Sequence, residues 1–300
     1  MSNHKVRIRR VNADTAFDII NHVLMVLVLL IVLYPLYFVV IASIRSPNAV
    51  YSGEVIFWPK GLNFEGYKRV FQDSSILRSY WNTIVYTVCG TVLSVTITVL
   101  GGYALSRKDF KLAKPIMMMV MVTMFVSGGL IPTFLVVKKL KLLNSIWAII
   151  LPSAVSSFNL IITRTFFAEN IPQELLDAAR MDGCSNTKFF LRIVLPMSGS
   201  ILAIMCLYYG VYYWNSYSNA LIYITDTEMY PLQLTLRELL VQNQMSADMV
   251  LDSDTWNTQQ LLADSIKYAS IVISSIPLLA VYPLVKKHFV KGIMVGSVKG

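Results

Sequence analysis

The chain has 300 residues, of which 55% are hydrophobic and only 14% are charged. Soluble domains carry nearer a quarter charged residues, so this composition excludes an ordinary water-soluble fold and favours a protein that crosses a membrane several times. The net charge of +9 could suit nucleic-acid binding, but we expect none, because the basic residues follow a pattern of membrane orientation.

Six apolar stretches are long enough to cross the hydrocarbon core as helices, which takes about 20 residues. They cover residues 23–42, 81–104, 115–137, 143–162, 200–224 and 265–285. We therefore predict an all-α polytopic membrane protein with six transmembrane helices in one domain, residues 1–300. The first stretch is too long for the apolar part of a signal peptide, so we expect it to remain as an anchor.

The distribution of Lys and Arg predicts that both termini are cytoplasmic. With that orientation the inside segments hold sixteen Lys and Arg residues and the outside segments hold nine. The exception is a basic triplet at residues 138–141 in a short outside loop. Residues 225–264 are acidic with a single basic residue, as expected of an exterior loop, and residues 1–22 form a cytoplasmic tail.

A polar segment, residues 164–196, separates the fourth and fifth predicted spans. Pro172 suits the first turn of a helix, where its missing N–H costs nothing. Glu174 and Asp177 favourably oppose the positive end of the helix dipole. Gly183 can then adopt the left-handed backbone conformation with which many helices end. The pattern predicts a short surface helix at the cytoplasmic end of the bundle.

A second short helix is predicted at residues 187–192, because Ser185 or Asn186 can cap it. The result is a helix–glycine–helix elbow. Ala178 and Ala179 are small, so they allow the backbone to seat closely in a groove of another protein. The alternative is an elbow that rests on lipid headgroups, which its acidic residues disfavour on an anionic leaflet.

The same residues resemble the EAA loop of the permeases of ABC importers. The matching pattern is Asp177-Ala178-Ala179, three residues, Gly183, nine residues, and then Ile193-x-Leu195-Pro196. The family usually has Glu at the position of Asp177, and Asp182-Gly183 matches its common Asp-Gly. Residues 81–83, 102–107, 144–148 and 289–300 resemble the carbohydrate branch, closest to permeases for oligosaccharides from complex polysaccharides.

This resemblance implies a type I permease fold and a bacterial cell-membrane location. It also implies a second, homologous permease subunit, two cytoplasmic ATP-binding subunits and an extracytoplasmic binding protein that delivers a sugar. The residues implied to couple to the ATPase are Glu174, Asp177, Ala178, Ala179, Asp182, Gly183, Ile193, Leu195 and Pro196. Because the chain lacks GxxxxGK[ST], we expect a transport subunit that is not itself an enzyme.

Sugars bind to aromatic faces and to polar groups that reach their hydroxyls, and the fifth predicted span supplies both. The candidate substrate path consists of Tyr213, Trp214, Asn215, Tyr217, Asn219 and, from the fourth span, Asn159. Asn215 and Asn219 are four residues apart and so are expected on one helix face. The alternative is that the aromatic residues form an interfacial belt and the Asn residues join helices.

Other function classes are disfavoured. An ion-coupled secondary transporter needs ionisable groups at mid-membrane, and the central parts of the six spans contain none. A membrane enzyme is not supported, because no HExxH or GxSxG pattern occurs. The three Cys form no CxxC pair, so neither a metal site, a cofactor nor a disulfide is predicted. An importer permease for a non-sugar solute remains the main alternative.

Overall fold

The computed structural model describes residues 6–45, 62–248, 263–280 and 283. Within these ranges the chain forms helices and turns, with one isolated antiparallel bridge between Arg45 and Leu62. The predicted all-α class is confirmed. The sequence motif at 289–300 lies outside the described residues.

The bounds of the helices follow the order of the chain. They are α1 (Val6–Ser43), α2 (Glu65–Gln72), α3 (Ser74–Ser106), α4 (Ala113–Phe125), α5 (Leu130–Lys139), α6 (Ile146–Ile150), α7 (Ser157–Asn170), α8 (Gln173–Met181), α9 (Asn186–Phe189), α10 (Gly199–Trp214), α11 (Ser218–Tyr223), α12 (Leu232–Asp248) and α13 (Ala263–Ala280).

The chain divides into two compact units. The first comprises residues 1–72 and 240–273, and the second comprises residues 73–239 and 274–300. In the first unit, the Ser43 hydroxyl lies 2.8 Å from the Tyr67 hydroxyl. This hydrogen bond ties the end of α1 to α2. The second unit contains the predicted elbow, the candidate sugar-path residues on α7, α10 and α11, and the helices that position them.

The long helix α3 is the central element of the second unit and packs against α7 and α10. Two hydrogen bonds between hydroxyl groups join it to α10: Ser94 to Tyr213 at 2.9 Å, and Thr98 to Tyr209 at 2.7 Å. All four side chains are buried. Because an unpaired hydroxyl is costly in an apolar interior, these pairs favour one alignment of the two helices.

The two ends of α3 contact different parts of the chain. At its start, the Asn82 amide donates to the Glu228 carbonyl oxygen at 2.7 Å, and the Thr83 hydroxyl accepts the Leu232 N–H at 2.7 Å. Near its end, the Tyr103 ring contacts one aromatic ring of α7 and one in the segment that follows α9. Thr83 and Tyr103 are about 30 Å apart along the helix axis, which matches the thickness of a hydrocarbon core.

The third predicted span is not one straight helix. The sequence predicts a continuous span over 115–137, but α4 and α5 are separated at residues 126–129 and bend by 118°. Gly129 has φ +81°, a conformation that an α-helix cannot contain. Pro132 is tolerated in the first turn of α5, because an N–H there has no partner within the helix.

The fourth predicted span is also bent, by 55°, between the α6 segment that ends in a 3₁₀ turn at Leu151–Ser153 and α7. The fifth is shorter than predicted, since α10 ends at Trp214 and α11 is separate. The first two predicted spans are continuous helices. The sixth is described as far as residue 280. Together the described residues hold three single helices and three bent pairs that are long and apolar enough to cross a membrane.

Gly90 is required by the close approach of α3 and α10. A Cβ atom at this position would lie 2.7 Å from the Tyr213 ring, which is buried and held in place by two hydrogen bonds at its hydroxyl group. We expect Gly90→Ala to lower the free energy of unfolding by about 1–3 kcal/mol through overpacking. Thermal unfolding of the purified protein measures this. In the control Gly210→Ala, the nearest atom to the new Cβ lies at 3.8 Å, so stability is retained, and equal losses in both variants would contradict the packing argument.

Candidate functional site

The first helix of the elbow, α8, ends in a glycine-dependent cap. Gly183 has φ +72°, its N–H donates to the Arg180 carbonyl at 3.0 Å, and the N–H of Cys184 donates to the Ala179 carbonyl at 2.9 Å. This pair of bonds defines a Schellman motif. The predicted left-handed conformation of Gly183 at the end of the helix is confirmed, while Pro172 is the residue before α8 and not its first helical residue.

The second helix of the elbow begins at Asn186, one residue before the predicted start at residue 187. The Ser185 hydroxyl accepts the N–H of Lys188, so Ser185 is the cap and Asn186 is the first helical residue. After α9 the chain widens into a π-helical turn, Phe190–Val194, and continues to Leu195–Met197. The direction then changes by 79° as the chain enters α10. The two arms of the elbow are therefore short and well defined.

One face of the elbow is buried in the protein's own core. Leu176 and Ala179 of α8 pack in a cluster with residues of α3, α7 and the second arm. The other buried members are Val99, Phe167, Phe189, Phe190 and Val194, and Ile193 and Leu195 pack against them. Ala179 is 7% exposed, so the expectation that both alanines face a partner is wrong for Ala179. On a helix of 3.6 residues per turn, residue 179 falls on the same side as 176.

The opposite face of α8 is open to solvent. Glu174, Asp177 and Ala178 are exposed, as are Asp182 and Pro196. Met181 is 89% exposed, which is unusual for a large apolar side chain in the last turn of a helix. The exposed face therefore combines carboxylates, a small residue and an apolar side chain. This combination is suited to contact with another protein.

An ion-pair network fixes α8 to the loop that follows α3. The Asp109 carboxylate accepts two hydrogen bonds from Arg107, at 2.6 and 2.9 Å, and one from Arg180 of α8 at 2.8 Å. Arg107 also donates to the Tyr103 hydroxyl at 2.8 Å. Forked pairing of an arginine with a carboxylate restricts geometry as well as distance. We call these three charged residues, Arg107, Asp109 and Arg180, the brace.

The brace holds its charges over a wide pH range. The hydrogen bond from Arg107 is the main cause that keeps the pKa of the Asp109 carboxyl far below its ordinary value, with Arg180 acting in the same direction. A carboxyl whose pKa is lowered on folding stabilises the fold above its unfolded pKa, and this contribution is lost only as pH falls through the folded pKa. The Asp109 carboxyl therefore stays ionised between about pH 5 and pH 8.

No functional role of Asp109 or Arg180 was predicted from the sequence. The sequence offers one local indication of an ion pair: residues 107–114 contain four basic residues and a single acidic residue, Asp109. Its partner Arg180 lies 71 positions away in the chain, and no local pattern identifies such a pair.

A cavity of about 210 Å³ lies between the end of α3 and the start of α8. Its lining includes Tyr103, Arg107, Phe167, Gln173 and Phe189. The cavity makes the elbow surface concave beside the exposed face of α8. A protein that docks there can therefore insert a side chain next to the brace.

The residues predicted to line a substrate path divide into two groups. Tyr213, Trp214 and Asn159 are buried within the chain. The Tyr213 hydroxyl bonds Ser94 and the Ile150 carbonyl, and the Trp214 indole N–H donates to the Ser274 carbonyl. The polar atoms of Tyr213 and Trp214 are thus engaged in contacts between helices, whereas the alternative interpretation of the aromatic residues was an interfacial belt.

The remaining candidates lie nearer the surface. Asn215 and Tyr217 are exposed and Asn219 is half-buried. The expectation that Asn215 and Asn219 share a helix face is wrong, because α10 ends at Trp214 and α11 begins at Ser218. The Asn215 amide donates back to the Val211 carbonyl at 2.8 Å, and this kind of side-chain bond competes with helix continuation.

Comparison with known proteins identifies the family. Residues 97–295, which include the whole elbow, match the model of the binding-protein-dependent transport system inner membrane component. The chain belongs to this family. It is a permease subunit of a membrane transport system, and the predicted resemblance is confirmed.

The permease is similar over nearly its full length to several known proteins. It is 40% identical to the polygalacturonan/rhamnogalacturonan transport system permease protein YtcP of Bacillus subtilis, over 95% of this chain and 98% of the relative. It is 28% identical to the arabinooligosaccharides transport system permease protein AraQ of Halalkalibacterium halodurans, over 90% of this chain and 92% of that relative. A crystal structure of a bacterial ABC transporter involved in the import of the acidic polysaccharide alginate matches with a TM-score of 0.80 at 33% identity, over 92% of this chain and 98% of that chain.

Removal of the central carboxylate should loosen the elbow. In Asp109→Asn the amide cannot hold both arginines by charge, and surface ion pairs of this kind contribute about 0.2–1 kcal/mol each. We expect amide hydrogen exchange in α8 to be about two- to fivefold faster at pH 7.

The matched control is Glu169→Gln, because Glu169 is exposed near the same end of the bundle and forms no ion pair within the described residues. Unchanged exchange in Asp109→Asn, or an equal change in the control, would show that the brace does not restrain α8.

Proposed function

We propose that this permease forms part of an ABC importer that takes up a carbohydrate, namely an oligosaccharide derived from a complex polysaccharide. Residues 1–300 act as a single transmembrane domain, and a separate subunit hydrolyses the ATP. The names of the relatives that match over nearly the whole chain support the substrate class. The main alternative is a non-sugar solute carried by the same machinery.

The exposed face of α8 is the observation on which the coupling proposal depends. Glu174 and Asp177 offer carboxylates to basic residues of an ATP-binding subunit, and Ala178 leaves space for its backbone to approach. Met181 adds an apolar contact that is 89% exposed in the free chain. Apolar centres with charged rims are typical of protein–protein interfaces.

Force from the ATP-binding subunit passes into the membrane helices through the buried face of α8. Leu176 and Ala179 are packed with Val99 of α3 and Phe167 of α7. Protein interiors are close-packed and transmit displacement with little compression. The brace adds a second connection between α8 and the end of α3. A movement of the docked subunit therefore moves α3 and α7 as well.

The remaining partners are a second homologous permease, a second ATP-binding subunit and an extracytoplasmic binding protein. Large apolar side chains on α4 and α5, among them Met118, Phe125 and Ile131, are strongly exposed. They suit lipid or the second permease. Both termini are placed in the cytoplasm, because the basic residues favour that side. The 226–239 segment then lies outside.

The two alanines of α8 give a direct test of docking. Ala178→Trp places a bulky ring on the exposed face. We therefore expect the amount of bound ATP-binding subunit to fall at least tenfold, with little change in the melting temperature of the permease. Ala179→Trp overpacks the protein's own core and should lower the melting temperature, because overpacking reduces the free energy of unfolding by about 1–3 kcal/mol. Co-sedimentation of the subunit with membrane vesicles and thermal unfolding measure the two effects.

Vesicle orientation tests the topology in the same experiment. The ATP-binding subunit should bind inside-out vesicles and not right-side-out vesicles. Undiminished binding by Ala178→Trp would move the docking face elsewhere, and binding only to right-side-out vesicles would invert the proposed topology.

Reconstitution tests the transport function. Proteoliposomes with both permeases and the ATP-binding subunit should accumulate labelled oligosaccharide when the loaded binding protein is outside and ATP is inside. Replacing ATP with a non-hydrolysable analogue should abolish the accumulation. ATP-dependent uptake of a non-sugar solute, with none for any oligosaccharide, would overturn the carbohydrate assignment.

A further inference from the structure

An exposed arginine lies at the end of the second unit opposite to the elbow. Arg237 of α12 is exposed, and the carbon of its guanidinium lies 5.8 Å from the centre of the Tyr217 ring. Residues 225–264 hold seven Asp and Glu residues and no other Lys or Arg. An anionic ligand would be repelled along most of this segment, and Arg237 is the position at which it would be attracted.

Arg237 has no carboxylate partner within the described part of the chain, in contrast to nearby Arg78, which forms an ion pair with Glu228 at 2.6 Å. Glu238 is adjacent to Arg237 in the chain, but consecutive helix residues point about 100° apart, and the two side chains form no ion pair within the described residues.

The start of α12 is firmly held, so Arg237 has a defined position. The N–H of Leu232 donates to the Thr83 hydroxyl at 2.7 Å. The Ser79 and Thr235 hydroxyls lie 2.7 Å apart in a buried contact. The Tyr217 ring beneath the guanidinium restricts it further through a cation–π contact, which leaves the N–H groups at the rim free to bind a ligand.

Polar and aromatic groups accompany Tyr217 on the same stretch of α10 and α11. The Tyr212 hydroxyl donates to the Ser153 hydroxyl at 2.6 Å, and the Asn219 amide donates to the same oxygen at 3.1 Å. Tyr212 and Tyr217 are both exposed. Fixed aromatic rings with amides and hydroxyls alongside them suit the flat faces and the hydroxyl groups of sugar rings.

We propose that Arg237, seated on Tyr217, binds a carboxylate of an acidic oligosaccharide and makes the permease selective for uronate-containing chains. The guanidinium fork matches a carboxylate with two parallel hydrogen bonds. This inference rests on the proposed function. It names the charge of the substrate and the residue that recognises it, since a guanidinium binds a carboxylate more strongly than it binds a neutral sugar hydroxyl.

A pair of probes that differ only in charge tests the proposal. They are trigalacturonate and its methyl ester, in which the carboxylates are neutral, and the complete importer with saturating loaded binding protein is used in proteoliposomes. Arg237→Gln should lower uptake of trigalacturonate about tenfold, the lower end of the effect of a charge-assisted hydrogen bond. Uptake of the ester should stay within about twofold, and Arg237→Lys should recover part of the loss.

The matched control is Arg78→Gln, which removes an arginine at the same end of the second unit that is already paired with Glu228. It should affect the two probes equally. The affinity of the isolated binding protein for each probe is measured separately, so that a loss in uptake is assigned to the permease.

The outcomes distinguish the two proposals. Equal loss of both probes in Arg237→Gln would mean that Arg237 binds an acidic side chain of the binding protein or supports the fold, and would overturn the inference. No loss of either probe would overturn it as well. Wild-type uptake of neutral oligosaccharides alone would overturn it while leaving carbohydrate import intact. Uptake of no oligosaccharide by the wild type would reject carbohydrate import itself.

Discussion

Burial of Leu176 and Ala179 against the ends of α3 and α7 connects the elbow to the transmembrane helices. A surface helix that made only polar contacts could slide over the bundle when another protein pushed on it. Here the inner face of α8 shares one apolar cluster with Val99 and Phe167, so sliding would expose apolar surface to water. The brace adds directional contacts at the same place. The geometry of the outer face depends on this anchoring.

Hydroxyl pairs in the bundle control how the same helices meet. Tyr209 and Tyr213 use their hydroxyls to bond Thr98 and Ser94 across the α3–α10 contact. In an apolar interior such bonds specify register as much as they stabilise, because a shift by one residue would leave several hydroxyls unpaired. Aromatic residues at the centre of the second unit therefore hold the helices together. Those at its rim, such as Tyr212 and Tyr217, remain accessible.

The sequence predicted those features that depend on a few neighbouring residues. The cap at Ser185, the left-handed Gly183 and the first two spans follow from local chemistry. The break at residues 126–129 was missed because the hydropathy of 115–137 is continuous, although Gly128 and Gly129 stand in it. Contacts between distant residues were inaccessible in principle. Asp109 and Arg180, or Tyr217 and Arg237, come together only through the tertiary fold.

The helix α3 links the two ends of the second unit by a continuous rod. It has 33 residues and no proline, and is therefore about 50 Å long. One end carries the hydrogen bonds to the 228–235 segment, and the other carries Tyr103 and leads directly into Arg107. A tilt of about 10° around the middle of such a rod displaces each end by about 4 Å in opposite directions. The two ends of the unit therefore cannot be repositioned independently, because a displacement of one end of α3 also displaces the other.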